Sequence, residues 1–211
     1  MRKILLDCDL VPEFTGQATW RIGVPRPPEV RGMCQVIGGP MSVGINPVTE
    51  ADAYIFVVEN VSVKRHMHGT ELLARLPELL REYGGPVAEL VSTVRDPSAI
   101  VYRPLESVLV PSPWYRGRAI LIGDAAHATT PHMAAGALIA LQDAVVLTEE
   151  LQREQSVDAA LEAFMARRYE RCKMLVDGCR QIGEWQKAGR VRVPEAAQLQ
   201  ASVMAALAAP G

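Results

Sequence analysis

The residues in this chain whose types and spacing could do chemistry lie between Gly123 and Leu138. An apolar run, Ala119-Ile120-Leu121-Ile122, leads into Gly123 and Asp124 and reads as a short buried strand spanning Arg118 to Asp124. A strand ending in Gly-Asp puts a backbone without a side chain, and then an acceptor-only carboxylate, at the edge where α/β sheets bind ligands. Such a carboxylate repels phosphate but accepts hydrogen bonds from the hydroxyls of a ribityl or ribose chain. Thr129-Thr130-Pro131-His132 makes a loop, because the residue before proline is pushed out of the helical region. A helix is expected from Gly136. That glycine permits close approach of a ligand, and the free amides of Ala137 and Leu138 at the helix N-terminus would face negative charge, such as an electron-rich ring edge. No side chain of the segment can be named a proton-transfer catalyst.

Other residues of the right types lack the right spacing. His127 and His132 with Asp124 present no common ligand geometry across a proline loop, so no metal site is expected. His66 and His68 flank Met67 ahead of a helix and read as surface or capping residues. Arg21 and Arg103 read as solvated strand arginines, and Trp20, Trp114 and Tyr115 as packing residues. The four cysteines, Cys8, Cys34, Cys172 and Cys179, show no paired metal spacing and are too few for a disulfide scaffold. Reduced, buried thiols are expected.

The elements that must position this segment fall into two halves. In Ala18 to Val24, Trp20, Ile22 and Val24 alternate with Thr19, Arg21 and Gly23, the pattern of a half-buried strand. Met33 to Ile37, a Gly38-Gly39-Pro40 turn and Met41, Val43 and Ile45 predict a hairpin. Tyr54 to Val58 predicts a central strand. Leu72, Leu76, Leu79, Leu80 and Tyr83 give a helix from Thr70, with a kink or restart at Pro77 and an end at Gly84-Gly85. Val87 to Val94 and Ile100 to Val110 read as strands. Beyond a boundary at Pro113, the helix from Gly136 should be buried nearly all round, with Ala140, Ala144, Leu147 and Leu151 as its clearest stripe. A second long helix starts at Ser156 and buries Leu161, Phe164, Met165, Tyr169, Cys172, Val176 and Cys179, with Arg167 and Arg168 on its solvated face. A last Ala-rich helix is expected over Glu195 to Ala209. The fold class is therefore α+β, with a mostly antiparallel sheet over residues 1–113 and a strand-loop-helix segment with long helices over residues 114–211.

The 211 residues are 49% apolar and 22% charged, the usage of an ordinary globular chain with ample core. With 22 Lys+Arg against 24 Asp+Glu there is no positive field to attract nucleic acid. No apolar run reaches the roughly 20 residues that cross a bilayer, and no signal-peptide core opens the chain. A cytoplasmic protein with no nucleic-acid or membrane partner is expected.

The run Gly117-Arg118-Ala119-Ile120-Leu121-Ile122-Gly123-Asp124-Ala125-Ala126-His127-Ala128-Thr129-Thr130-Pro131-His132 resembles the second flavin-contacting motif of the FAD-dependent aromatic-ring monooxygenases, the para-hydroxybenzoate hydroxylase-like group. Gln142-Asp143-Ala144, Gly16-Gln17-Ala18-Thr19-Trp20-Arg21 and Arg103-Pro104-Leu105 are also similar to that family. The resemblance implies that Gly123 and Asp124 meet the ribityl chain, that Pro131 lies by the isoalloxazine ring, and that Gly136 and the amides of Ala137 and Leu138 face its pyrimidine edge. It also implies FAD as cofactor, NAD(P)H as co-substrate, and hydroxylation of a small aromatic or polyketide-like substrate. The first half then corresponds to the substrate domain and the second to the C-terminal part of the FAD-binding domain. Two departures stand out. Ala137-Leu138 occupies a position where the family has a second small residue. The family's opening βαβ unit with GxGxxG, its acidic ribose ligand and its middle Asp-Gly motif do not occur in the sequence. The chain reads as a family member starting after its nucleotide-binding lobe. It is expected to bind FAD weakly or not at all alone, and to pair with such a lobe, to dimerise, or to serve as a non-catalytic ligand-binding or assembly module.

Overall fold

The alternation around Trp20 produces a long strand, β1 (Glu13–Pro25), in which Ala18, Trp20, Ile22 and Val24 all point into a core. The structure, a computed structural model, describes residues 2–7, 9–36, 39–189 and 193–209. They divide into two compact units. One comprises Gly16–Leu105 with a short stretch following Trp185; the other comprises Met1–Thr15, Glu106–Trp185 and the C-terminal segment.

The Gly16–Leu105 unit is built on a five-stranded sheet in the order β2-β3-β4-β1-β5, from β2 (Cys34–Val36), β3 (Ser42–Pro47), β4 (Asp52–Asn60) and β5 (Ile100–Ser107). The hairpin forms as expected, with Cys34 opposite Ile45, although Ile37 and Gly38 of its turn lie outside the described residues. The run at Tyr54 to Val58 is the middle strand, antiparallel to both neighbours, with Ile55 opposite Ile22 and Ile45. Helix α2 (Thr70–Leu79) packs Leu72, Leu76 and Leu79 against the inward side chains. The expected kink at Pro77 is absorbed because the proline falls in the last turn.

Residues expected as a strand at Val87 to Val94 form a helix instead, α3 (Gly85–Thr93). The reason is periodic: Val87, Leu90, Val91 and Val94 recur at i, i+3, i+4 and i+7, and all four pack on the core. Trp20 stays buried on the inner face by donating its indole N–H to Glu59 Oε2 at 2.9 Å, and Glu59 is in turn paired with Arg75.

The other unit begins with a short helix not foreseen from the sequence, α1 (Arg2–Leu6), whose Leu5 and Leu6 pack on the unit's core. The expected strand from Arg118 to Asp124 is shorter than that. Only β7 (Ala119–Ile120) forms a ladder, with β6 (Tyr115–Arg116), and Leu121 to Gly123 run on as irregular chain. A four-residue helix α4 (Asp124–His127) and a 3₁₀ turn (Pro131–Met133) lead to α5 (Gly136–Arg153), α6 (Val157–Lys187) and α7 (Val193–Ala208).

Helix α6 buries the expected face, including Phe164, Cys172, Val176 and Cys179, but Arg168 is 2% exposed rather than solvated. Helix α5 departs most. Its buried residues are Ile139, Asp143, Val146 and Glu150, while Leu138, Leu141, Val145 and Leu151 are exposed. Two carboxylates on the inner face are held there by arginines of α6: Arg167 Nη1 bonds Glu150 Oε1 at 2.5 Å and Arg168 Nε bonds Asp143 Oδ1 at 2.9 Å. Among the described residues no helix is long and apolar enough to cross a membrane.

Candidate flavin-contacting site

The site is assembled from backbone before it is assembled from side chains. Gly123 has φ +58°, a conformation that L side chains rarely adopt, and it serves as N-cap of α4. Its carbonyl accepts the amides of Ala126 and His127 at 2.8 and 2.9 Å, which turns the chain sharply at Asp124. The turn is pinned from outside by Val110 N–H on Ala126 O (2.8 Å), Val108 N–H on Ala128 O (2.9 Å), and the Arg2 guanidinium on Ala125 O (2.7 Å) and Asp124 O (2.9 Å). The Asp124 side chain is left exposed, not sealed inward.

After the turn, Thr130 precedes Pro131 in extended conformation, and the 3₁₀ turn closes on Ala134 at φ +52°. Pro131 is exposed, and Thr130 Oγ1 lies 2.7 Å from His132 Nδ1. Helix α5 then starts at Gly136 without a side-chain cap, so the amides ahead of the first backbone bond, Ile139 N–H to Ala135 O at 3.0 Å, end the helix as open donors. Ala137 and Leu138 are exposed there. A Cβ on Gly136 would meet Thr129 Cγ2 at 3.3 Å, and one on Gly123 would meet Ala140 Cβ at 3.1 Å. The elbow therefore rests directly on the second turn of α5. The six residues singled out from sequence lie in one unit, with Asp124, Pro131, Ala137 and Leu138 on its surface.

Sequence reasoning did not find what lies behind this surface. Asp143 is fully buried, and its Oδ2 accepts the Gly123 amide at 2.9 Å and lies 2.6 Å from His127 Nε2. Its Oδ1 accepts Arg168 Nε at 2.9 Å and stands 3.8 Å from Cys172 Sγ. Arg168 Nη2 also donates to Ile139 O at 3.1 Å. Burial alone would push the Asp143 carboxyl up, but the His127 hydrogen bond and charge, the Gly123 amide and Arg168 together hold it below its ordinary value. The Cys172 thiol is pushed up to about 12, first by burial and then by the Asp143 charge. A charged pair, Asp143 and Arg168, interrupting two apolar helix faces was the signal available in the sequence.

His127, Asp143 and Cys172 offer three ligand atoms within 4.8 Å of one another. They do not fit a metal. Arg168 already neutralises the carboxylate and its Nη2 stands 3.8 Å from Cys172 Sγ, so a cation there would meet a buried guanidinium charge. Of the cysteines expected to be buried, Cys172 and Cys179 are, Cys34 is exposed, and Cys8 lies outside the described residues. Cys34 fails the expectation because its edge strand β2 presents every side chain to solvent. His66 and His68 are exposed, as expected.

An exposed carboxylate beside a glycine elbow, followed by a proline loop and an open helix N-terminus, can bind a polyol chain and the acceptor-rich edge of a planar ring. Residues 98–178 match the family described as an FAD binding domain. The chain is 34% identical over 195 residues to the aurachin C monooxygenase/isomerase of Stigmatella aurantiaca, covering 84% of this chain and 47% of that protein. It is 29% identical over 140 residues to the FAD-dependent urate hydroxylase of Klebsiella pneumoniae, covering 66% and 36%. Its fold is that of Klebsiella pneumoniae HpxO complexed with FAD and uric acid, with a TM-score of 0.82 at 24% identity over 94% of this chain and 52% of that one. The chain spans about half the length of the curated relatives first matched.

Proposed function

From its standing as a relative of the FAD-dependent monooxygenases, we propose that this chain forms the ring-side and substrate-side portion of such an enzyme, one that hydroxylates an aromatic or polyketide-like molecule using NAD(P)H and O₂. The observation that carries the reading is the exposed Asp124 carboxylate on a positive-φ glycine elbow, in the same unit as the open N-terminus of α5.

In this reading Asp124 accepts hydrogen bonds from the ribityl hydroxyls, Pro131 packs against the ring, and the amides of Gly136, Ala137 and Leu138 face the pyrimidine edge. When bound, the flavin supplies the electron transfer between NAD(P)H and O₂. The helix terminus would contribute fixed positive potential beside a bound ring, an effect of the oxyanion-hole kind. No GxGxxG occurs in the sequence, so in this reading the 211 residues offer the ADP half no phosphate-cradling turn of that kind. The reading assigns that half to a separate nucleotide-binding lobe. In this reading the Gly16–Leu105 unit serves the substrate, and the unit that carries Asp124 and α5, with Met1–Thr15 and Glu106–Pro113 in it, serves the flavin.

The outer sheet face of the Gly16–Leu105 unit supports an aromatic substrate class. There the Arg21 guanidinium lies 5.9 Å over the Tyr54 ring, Asn46 Nδ2 donates to Tyr54 Oη at 2.8 Å, and a Cβ on Gly44 would stand 2.5 Å from the Phe56 ring. Quinolone and urate ring systems in the names of relatives are of this kind.

A second reading, an assembly module, is favoured by one observation. Leu138, Leu141 and Val145 leave an exposed apolar stripe on α5, about 10 Å long at helical rise. It suits either a nucleotide-binding lobe or a second copy of the chain.

The test is a titration of the ¹⁵N-labelled chain with FMN, which detects weak binding. Amide shifts should concentrate at Gly123–Ala125 and Gly136–Leu138, and Asp124→Ala should weaken the response about tenfold. Shifts that avoid both segments, or an Asp124→Ala response equal to the parent's, would overturn the proposal.

A further inference from the structure

We infer that Asp143 and Arg168 are a positioning pair that fixes how the Asp124 elbow and the first turn of α5 are presented to the flavin. The inference rests on the reading just given, and it adds residues that never reach the cofactor themselves.

The two presented segments are tied to each other through Asp143 and Arg168. The elbow is irregular chain, since the β6–β7 ladder ends at Ile120 and α4 is one turn long. Its Gly123 amide, one residue ahead of the presented carboxylate, is taken by Asp143 Oδ2 at 2.9 Å. The other end of α4 is taken by the same oxygen, through His127 Nε2 at 2.6 Å. One carboxylate oxygen thus clamps both ends of the turn that carries Asp124.

The second oxygen reaches the other segment. Arg168 Nε donates to Asp143 Oδ1 at 2.9 Å, and Nη2 of the same planar guanidinium donates to Ile139 O at 3.1 Å. Ile139 is the first residue of α5 whose amide bonds back into the helix, so its carbonyl lies one residue beyond the open amides of Ala137 and Leu138. Arg168 comes from α6 and is 2% exposed; Asp143 is fully buried. Two buried charges are worth retaining only where they are paired, and here they are paired in a geometry that measures the elbow against the helix terminus. A Cβ on Gly123 would come within 3.1 Å of Ala140, so the two segments already touch. The pair sets which way they touch.

Lysine at position 168 tests this, because it keeps the charge and gives up the fork that reaches two acceptors at once. The experiment uses the whole chain with riboflavin as probe and reads three things: thermal midpoint, amide shifts at Gly123 and Leu138, and the amplitude of flavin fluorescence quenching at saturation. Arg168→Lys should stay folded, move both amides in the absence of flavin, weaken riboflavin about tenfold, and change the saturated quenching. Saturated quenching does not respond to a loss of stability, so a purely structural pair would leave it unchanged. Asp143→Asn, which removes the charge and puts an N–H donor either against Arg168 Nε or against the Gly123 amide and His127, should exceed the lysine variant on every readout. If it does not fold, Cys172→Ser replaces it as the control that keeps both charges, and it should match the parent. A parent chain that responds to riboflavin and a lysine variant with the same saturated quenching would overturn the positioning role alone. A parent with no response would overturn the flavin reading, and this role with it.

Discussion

Gly123 meets two constraints at one Cα. Its φ of +58° with ψ −143° lies outside the left-handed helical well and costs an L-residue about 1–3 kcal/mol, and an added Cβ would stand 3.1 Å from the Ala140 methyl, which is fixed to a helix backbone and cannot swing aside. Gly123→Ala should therefore lower stability by about 2 kcal/mol in a thermal melt. Adding Ala140→Gly should return only the contact share. Complete recovery in the double variant would show that the backbone conformation costs nothing.

Asp143 gives a second residue-scale prediction. Its folded pKa lies below the ordinary value of 3.8, so the unfolded chain binds the proton first as pH falls. The stability it contributes is complete above the unfolded value and is lost as pH drops through the folded one. Asp143→Asn should flatten the acid limb of stability below about pH 4 relative to the parent; parallel limbs would rule this contribution out. The thiols sort by the same physics. At about pH 8 iodoacetamide should modify Cys34, while the buried Cys172 and Cys179 should react only after denaturation, as read by peptide mapping.

At the scale of elements, α5 shows both what a sequence discloses and what it withholds. Its start at Gly136 is legible because the proline loop cannot be helical, and its helical type is legible from length and apolar content. Its facing is not. Apolar residues occur all round it, so periodicity cannot choose an inner side, and the choice is made by Arg167 and Arg168 on α6 drawing Glu150 and Asp143 inward. Helix α3 is obscured differently, since its valines have strand propensity while the spacing is helical, and spacing prevails once Val87, Leu90, Val91 and Val94 share a core. The strand β1 was plain because alternation and burial agree at Ala18, Trp20, Ile22 and Val24. Among site residues, those contacting a ligand through a motif could be read, whereas the Asp143–Arg168 pair could not, because its meaning depends on two helices meeting.

The outward stripe of α5 carries its own prediction. Leu141 is 67% exposed, so Leu141→Glu should change stability by no more than about 0.5 kcal/mol. It should reduce self-association seen by sedimentation, or docking of a nucleotide-binding lobe. Val146→Glu, on the buried side of the same helix, should unfold the unit. Equal effects from the two would mean that the stripe is covered.

For the molecule as a whole, the question is how much of a dinucleotide cofactor 211 residues can recognise. Every proposed contact, from Asp124 through Pro131 to the amides at Gly136, falls on the ribityl chain or the ring, and among the described residues no glycine-rich strand-to-helix turn of the GxGxxG kind is offered to the pyrophosphate. An ADP group left in solvent contributes little to affinity, and its negative charge meets the Asp124 carboxylate unfavourably. The chain should accordingly bind riboflavin, FMN and FAD within about threefold of one another, with FAD no tighter than riboflavin, and free ADP should not compete. Once a nucleotide-binding lobe is supplied, FAD alone should gain, because the second half of the cofactor then binds at high effective concentration. A chain that prefers FAD over riboflavin by tenfold or more in the absence of any lobe would place an ADP site within these residues, and the division of the cofactor between two parts of the enzyme would have to be abandoned.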